Sequence, residues 1–144
     1  MKLTTKGRYA IIAMADLVLH SRTEPVSLKE ITKRQSISLS YLEQLFSKLK
    51  ESDLVRSIRG PGGGYQLGRE SSEISLLDII TAVDEKIDQT QCGGAMNCNK
   101  DHPCLTHYIW TELNEKINQY MRDITLSDIA TREDVKSIMI FRES

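Results

Sequence analysis

Apolar residues recur at helical spacing in five stretches of this chain and alternate only in one short segment. Residues 9–19 predict a first helix. Ser27-Leu-Lys-Glu30 is a Ser-x-x-Glu capping box, which predicts a second helix running to about Gln35. A third helix follows closely, opened by Ser38 or by Ser40, the latter forming its own box with Glu43. Its apolar stripe is Leu42, Leu45, Phe46 and Leu49, at i, i+3, i+4 and i+7. Residues 75–84 read as a short fourth helix capped by Ser75, with Leu76, Ile79, Ile80 and Val83 as its buried face. The fifth runs from about Cys104 to Arg122, and Leu105, Ile109, Leu113, Ile117, Tyr120, Met121 and Ile124 line one side of it. From Thr131 onward the pattern is weak and the tail is expected to fray.

Between the third and fourth helices, residues 54–59 carry a strand signal in Val55 and Ile58, and Tyr65-Gln-Leu67 is its return. Gly60-Pro-Gly-Gly-Gly64 joins them. Two closely spaced helices followed by a hairpin predict a winged helix-turn-helix, mostly α with a small β-hairpin wing, in which the third helix is the reading element. Burying the Leu42 stripe turns Ser40, Tyr41, Glu43, Gln44, Ser47 and Lys48 outward. With Ser38, Arg56, Arg59 and Gly60 these residues, Ser47 apart, are the candidate DNA contacts. Ser40, Tyr41 and Gln44 can donate to phosphates or base edges, whereas Glu43 can only accept and suits a cytosine amine. A helix-capping role through Ser40 is the plainer reading of Glu43. The glycine run fits neither a dinucleotide-binding fingerprint, since Tyr65 occupies the sixth place, nor a P-loop, since no Lys-Ser or Lys-Thr follows. It fits a hairpin tip that brings Arg59 close to a minor groove.

Charge sharpens this picture. The formal net charge is −1, but residues 1–70 carry 12 Lys and Arg against 7 Asp and Glu, while residues 71–144 carry 7 against 13. A basic half joined to an acidic half fits a nucleic-acid reader attached to a module that does not bind DNA. The apolar stretch 11–19 is interrupted by Asp16 and is shorter than the ~20 residues of a spanning helix, and residues 1–6 lack the apolar core of a signal peptide. The expectation is a cytoplasmic protein without a membrane partner. No nucleophile elbow or paired-carboxylate motif marks an enzyme.

A polar, turn-rich stretch over residues 88–103 separates the two helical regions and leads into Cys92-x5-Cys98-x5-Cys104-x2-His107. Four soft or borderline ligands within 16 residues suit a transition metal, with Cys104 and His107 expected at i and i+3 on one face of a helix start. Spacings of five fit an iron–sulfur cluster better than the close pairs typical of zinc. Structural zinc and free thiols used as a redox switch stay open on chemistry alone. His102 is a rival imidazole on the loop, and His20 reads as a helix-end surface residue. The expected organisation is a winged helix-turn-helix over 1–84, a ligand-bearing loop over 85–103, a long dimerisation helix region over 104–130 and a tail over 131–144. A helix presenting so long an apolar stripe in so small a protein predicts a homodimer.

Lys-Gly-Arg-Tyr-Ala at 6–10, Ile-Ser-Leu-Ser-Tyr-Leu-Glu-Gln-Leu-Phe at 37–46, Arg-Gly-Pro-Gly-Gly-Gly-Tyr at 59–65 and Cys104-Leu-Thr-His107 resemble the iron–sulfur cluster assembly regulators within a bacterial family of dimeric winged-helix regulators. The resemblance runs from residue 1 to about 130 and departs mainly at the short C-terminal tail. It implies a 2Fe–2S cluster on Cys92, Cys98, Cys104 and His107, delivered by the cluster assembly machinery. It also implies a homodimer that binds a double-stranded DNA operator and represses the cluster assembly genes. Both loaded and unloaded forms of such regulators bind DNA, at different classes of site, and the residue matching Glu43 discriminates between them. The alternatives are a nitric-oxide or redox sensor with another cluster, or a regulator with structural zinc.

Overall fold

The first helix has no acidic residue in its first turn and no side-chain cap, yet it begins at Thr5, four residues before the apolar periodicity does. In the computed structural model, which describes residues 4–85, 88, 90 and 92–143, the Thr4 amide donates to the Glu85 carboxylate at 2.8 Å. That long-range carboxylate sits at the positive end of the helix and holds the turn of Lys6, Gly7 and Arg8 that local pattern leaves out. Residues 1–3 of the expected first domain, 86, 87, 89 and 91 of the expected loop, and 144 of the tail lie outside the described residues.

Helix α1 (Thr5–His20) is the spine of the core. Ala10, Ala13, Met14 and Leu17 are fully buried along one face of it. Helix α2 (Leu28–Gln35) opens with the expected box: Ser27 Oγ accepts from the Glu30 amide, and Glu30 accepts from the Ser27 amide, both at 3.2 Å. It ends at Ser36, whose φ of 56° turns the chain sharply. Helix α3 (Leu39–Glu51) is capped by Ser38, whose hydroxyl accepts from the Tyr41 amide. The alternative box between Ser40 and Glu43 is not formed, because Ser40 already lies inside the helix. Leu42, Leu45, Phe46 and Leu49 are buried as expected.

Strands β1 (Val55–Ile58) and β2 (Gly64–Leu67) pair antiparallel in the register Val55↔Leu67 to Ile58↔Gly64. Val55 is buried, but Ile58 is exposed, since positions three apart on a strand point to opposite faces. Val26 extends the sheet by a single bridge to Tyr65, exchanging hydrogen bonds of 2.9 and 2.7 Å. This crossing explains Gly64: a Cβ there would lie 2.5 Å from the Val26 carbonyl, so only glycine lets the wing lie against the chain leading into α2.

Helix α4 (Leu76–Ala82) carries a Ser75–Asp78 capping box and buries Ile79 and Ile80. Helix α5 (His107–Asp123) starts three residues later than expected, so Cys104 precedes it instead of sharing its face. The Leu126 amide then donates to the Ile74 carbonyl and the Leu76 amide to the Ile124 carbonyl, both at 2.9 Å, bringing the chain back to the body. The tail does not fray. Helix α6 (Leu126–Thr131) is opened by a Thr125–Asp128 box and buries Leu126, and α7 (Glu133–Glu143) follows it. Helix α6, only six residues long, is too short for a pattern search, and contact with α1 stabilises it.

The architecture is a winged helix-turn-helix with one long additional helix. Leu105, just before α5, and Tyr108, Ile109, Leu113 and Tyr120 on it are exposed, Ile117 and Met121 are half-buried and His107 is the one buried residue of the helix, so much of the apolar stripe has no cover among the described residues.

A buried charge fixes α2 against α1. Asp16, 1% exposed, accepts two bonds of 2.9 Å from the Arg34 guanidinium and one of 2.8 Å from Gln35 Nε2. His20 is the last residue of α1, as expected, with Nδ1 2.9 Å from the Asp16 carbonyl oxygen. Replacing Arg34 with Ala is expected to cost about 2–3 kcal/mol, less than breaking a fully buried pair, because Gln35 still donates and Arg34 is partly exposed. Urea unfolding of R34A against the unmodified chain measures it, and an unchanged midpoint would contradict the role given to this pair.

Candidate metal centre and nucleic-acid interface

The loop between α4 and α5 is shaped by residues in the left-handed region. Gly93, Gly94, Met96 and Lys100 have φ of 63°, 92°, 61° and 59°, and the resulting curl turns successive amides inward. The Asp88 carboxylate ties the start of this loop to α5. It accepts from the Thr90 amide at 2.8 Å, the Thr90 hydroxyl at 2.6 Å and Asn114 Nδ2 at 2.8 Å. Asn114 lies seven residues after His107 and therefore on the same face of α5. At the far end, Asn99 and His102 form a bridge. His102 Nδ1 lies 3.1 Å from the Pro103 carbonyl oxygen; this imidazole is exposed and belongs to the turn.

These constraints bring three of the four expected ligands together. Cys92 Sγ and Cys98 Sγ lie 3.6 and 3.5 Å from His107 Nδ1, and all three ligand atoms fall within 4.8 Å of one another. His107 is buried, and the thiols are half-buried. Cys104 approaches through its backbone, with its amide donating to Cys98 Sγ at 3.0 Å. Its own sulfur lies 3.8 Å from Thr106 Oγ1 and lines a cavity of about 290 Å³ with Cys98, His107, Thr90, Thr106 and Trp110. Thr106 also accepts from Trp110 Nε1 at 2.9 Å. Sequence spacing did not single out Thr90, Thr106, Trp110, Asp88 or Asn114. The four-residue step from Thr106 to Trp110 and the seven-residue step from His107 to Asn114 are the signals that mark two pairs of them.

The thiols differ in their surroundings. Burial acts to raise the Cys92 pKa, but the Gly94, Met96 and Asn97 amides, with the Cys98 side chain, overcome it and hold this thiol down at about 6. At Cys98 the Cys104 amide acts to lower the pKa, but burial and the adjoining Cys104 and Cys92 sulfurs push it up. Cys104 is lowered, first by the Cys98 side chain and then by the Thr106 amide. A thiolate, an imidazole and further thiols close together, three of them lining one cavity, form a soft donor set, which fits a transition metal or an iron–sulfur group and fits magnesium or calcium poorly.

The other candidate surface lies on α3 and the wing. Ser40, Glu43, Gln44 and Ser47 are all exposed, on the side of α3 opposite the Leu42 stripe. Ser38 is exposed but engaged as the cap. Tyr41 does not stand fully outward: its ring packs edge-on against Tyr9 with centroids 5.8 Å apart. The Lys48 ammonium donates to Asp84 Oδ2 at 2.5 Å. Across the hairpin, Arg56 donates to Gln66 Oε1 at 3.2 Å, while Arg59 and Gly60 are exposed at the tip. Gly60 has φ 100°, a conformation that favours glycine.

Residues 3–132 match the Rrf2 family, described as an iron-dependent transcriptional regulator. The chain is 53% identical over 135 residues to the HTH-type transcriptional regulator IscR of Serratia proteamaculans, a match covering 94% of this chain and 82% of that protein. Among solved structures it resembles CymR, the global cysteine regulator of B. subtilis, with a TM-score of 0.79 and 34% identity over 91% of this chain and 97% of the other. It also resembles T. potens IscR, with a TM-score of 0.72 and 37% identity over 90% and 85% of the two chains.

The depressed Cys92 pKa gives a test in metal-free protein. The thiolate is the reactive form, so alkylation of Cys92 by iodoacetamide should rise with pH through a midpoint of about 6, well below that of an ordinary thiol. The same shift makes the folded state lose stability as pH falls through that midpoint, because the unfolded thiol already holds its proton there. Mass spectrometry of the peptide containing Cys92 across pH 5–9 reads the profile, and a midpoint near 9 would show that the loop amides do not hold the thiolate.

Proposed function

The chain belongs to the Rrf2 family and is a DNA-binding transcriptional regulator, not an enzyme, and from that premise we propose that it senses iron–sulfur status through a 2Fe–2S cluster held by Cys92, Cys98, Cys104 and His107. The observation that carries this reading is the convergence of Cys92, Cys98 and His107 ligand atoms within 4.8 Å of one another. Cys104, lining the same cavity, supplies the fourth ligand. When bound, such a cluster supplies a labile, redox-active group whose presence reports supply. The chain's own residues do the rest. The loop amides keep Cys92 ready as a thiolate, Asp88 and Asn114 hold the loop against α5, and Thr106 and Trp110 wall the cavity.

In this reading residues 1–84 contact DNA, 85–103 carry two of the four ligands, Cys92 and Cys98, 104–130 carry the other two and form the dimerisation region, and 131–144 are the tail. The exposed stripe of α5 pairs with a second copy, because a free apolar face of that length is otherwise left in water. Ser38, Ser40, Tyr41 and Gln44 approach phosphates or base edges of an operator duplex, Lys48 joins them when it is released from Asp84, and Arg56, Arg59 and Gly60 lie at the adjacent minor groove. The regulated genes are those for cluster assembly, whose machinery is also the cluster donor, and the protein works in the cytoplasm.

Anaerobic purification followed by absorption spectroscopy and iron and sulfide analysis tests the cluster. About two irons and two sulfides per chain are expected, lost in variants with Cys92, Cys98, Cys104 or His107 changed to Ala. A colourless protein with stoichiometric zinc would replace the sensor reading with a structural one.

Glu43 is the specificity element of this interface. It is exposed on α3 and takes no part in capping, so its carboxylate repels DNA unless a base amine meets it. Glu43→Ala is expected to broaden the set of sites bound by the cluster-free form, read by selection from a random duplex library. Unchanged selectivity would remove Glu43 from that role.

A further inference from the structure

Two lysines close α3, and they are held differently. Lys50 donates to Ser57 Oγ on β1 at 2.9 Å, within the reading head itself. Lys48, one turn after Gln44 and next to Ser47, reaches across 36 residues to Asp84 Oδ2. Asp84 lies two residues beyond α4, in the left-handed region at φ 60°, and opens the segment that leads to Cys92. The next acids of that segment hold other elements. Glu85 accepts from the Thr4 amide at the start of α1, and Asp88 accepts from Asn114 on α5. Three carboxylates within five residues thus hold α3, α1 and α5 at one junction.

We propose that Asp84 is a positioning residue that keeps the Lys48 ammonium at this junction and withholds it from the DNA phosphates. The proposal rests on reading α3 as the recognition helix. The Lys48 and Asp84 side chains are 43% and 68% exposed, so either can exchange partners without burying or unburying a charge. An exposed ion pair is weakly held, and a phosphate beside α3 is a stronger acceptor for the same ammonium than water is. Asp84 therefore sets how much of the Lys48 charge DNA receives. Its backbone is held at the end of α4, where the Asp84 amide donates to the Thr81 carbonyl at 3.1 Å and the Glu85 amide to the Ile80 carbonyl at 3.0 Å. The pair changes the number of phosphate contacts without altering any base-reading residue.

The test is fluorescence anisotropy of the full chain on a labelled random-sequence duplex of about 30 bp over a range of KCl concentrations, for wild type, D84N, K48A and K48A/D84N. D84N should steepen the dependence of log affinity on log salt by about 0.9 for each protomer, because each gains one phosphate contact. For a dimer, its advantage over wild type then grows about 3.5-fold for each halving of salt. K48A and K48A/D84N should share one slope, which separates a Lys48-mediated effect from the mere loss of a negative charge. A D84N slope equal to wild type, or a steepening that persists when Lys48 is absent, would overturn the proposal while leaving α3 as the recognition helix. Failure of the wild-type chain to bind the duplex at low salt would instead overturn the recognition-helix reading, and the proposal with it.

Discussion

The geometry of the reading head depends on a carboxylate that cannot reach water. Asp16 lies in the middle of α1 beside the fully buried Ala13, Met14 and Leu17. A bare charge there would be expensive to bury, so the fold is stable only where donors reach it. Arg34 and Gln35, the last two residues of α2, are those donors. The C-terminal turn of α2 is thereby held at one place on α1, the left-handed Ser36 follows immediately, and two residues later Ser38 caps α3. The direction of the recognition helix is thus set by an ion pair one helix away. The wing is fixed separately, by Val26 crossing over Gly64, so α3 is positioned from α1 through α2 and the wing from the chain leading into α2.

What could be read from the sequence was whatever is encoded within a few residues. The Ser27–Glu30 box, the Leu42 stripe, the Gly60–Gly64 turn and the Ser75 cap each carry their signal locally, and each lies where its spacing puts it. The misreadings share a non-local cause. The start of α1 depends on Glu85, 81 positions away, and the choice of Ser38 over Ser40 depends on where the turn from α2 delivers the chain. Tyr41 looks outward on a helical wheel but meets Tyr9, and Lys48 looks free but meets Asp84. Helix α6 was missed because its stability comes from Leu126 packing into a core that α1 builds. Spacing alone pointed to Cys92, Cys98 and His107, whose ligand atoms lie within 4.8 Å of one another in the fold, since these three need only a loop that can curl. It could not show that Cys104 enters by its amide while its sulfur turns toward Thr106.

The division of charge along the chain takes on structural meaning at residues 84–88. These acids belong to the negative half, yet Asp84 holds a lysine of the positive half and Glu85 the N-terminus of its first helix. A sequence count treats them as solvated surface; in the fold they join the two halves. Asp88 then extends the same segment to α5. The loop beyond it has little apolar burial of its own and is held by exposed hydrogen bonds and left-handed turns, two of them at non-glycine residues, Met96 and Lys100. Such a segment is poorly stable on its own terms. A group bound by Cys92, Cys98 and His107 would therefore add a large share of its order. His107 is also the first residue of α5 and the only buried one in that helix, so whatever fixes its ring fixes the first turn of the helix whose apolar face lacks a partner within the chain. That one side chain therefore joins the thiol cluster to the start of α5.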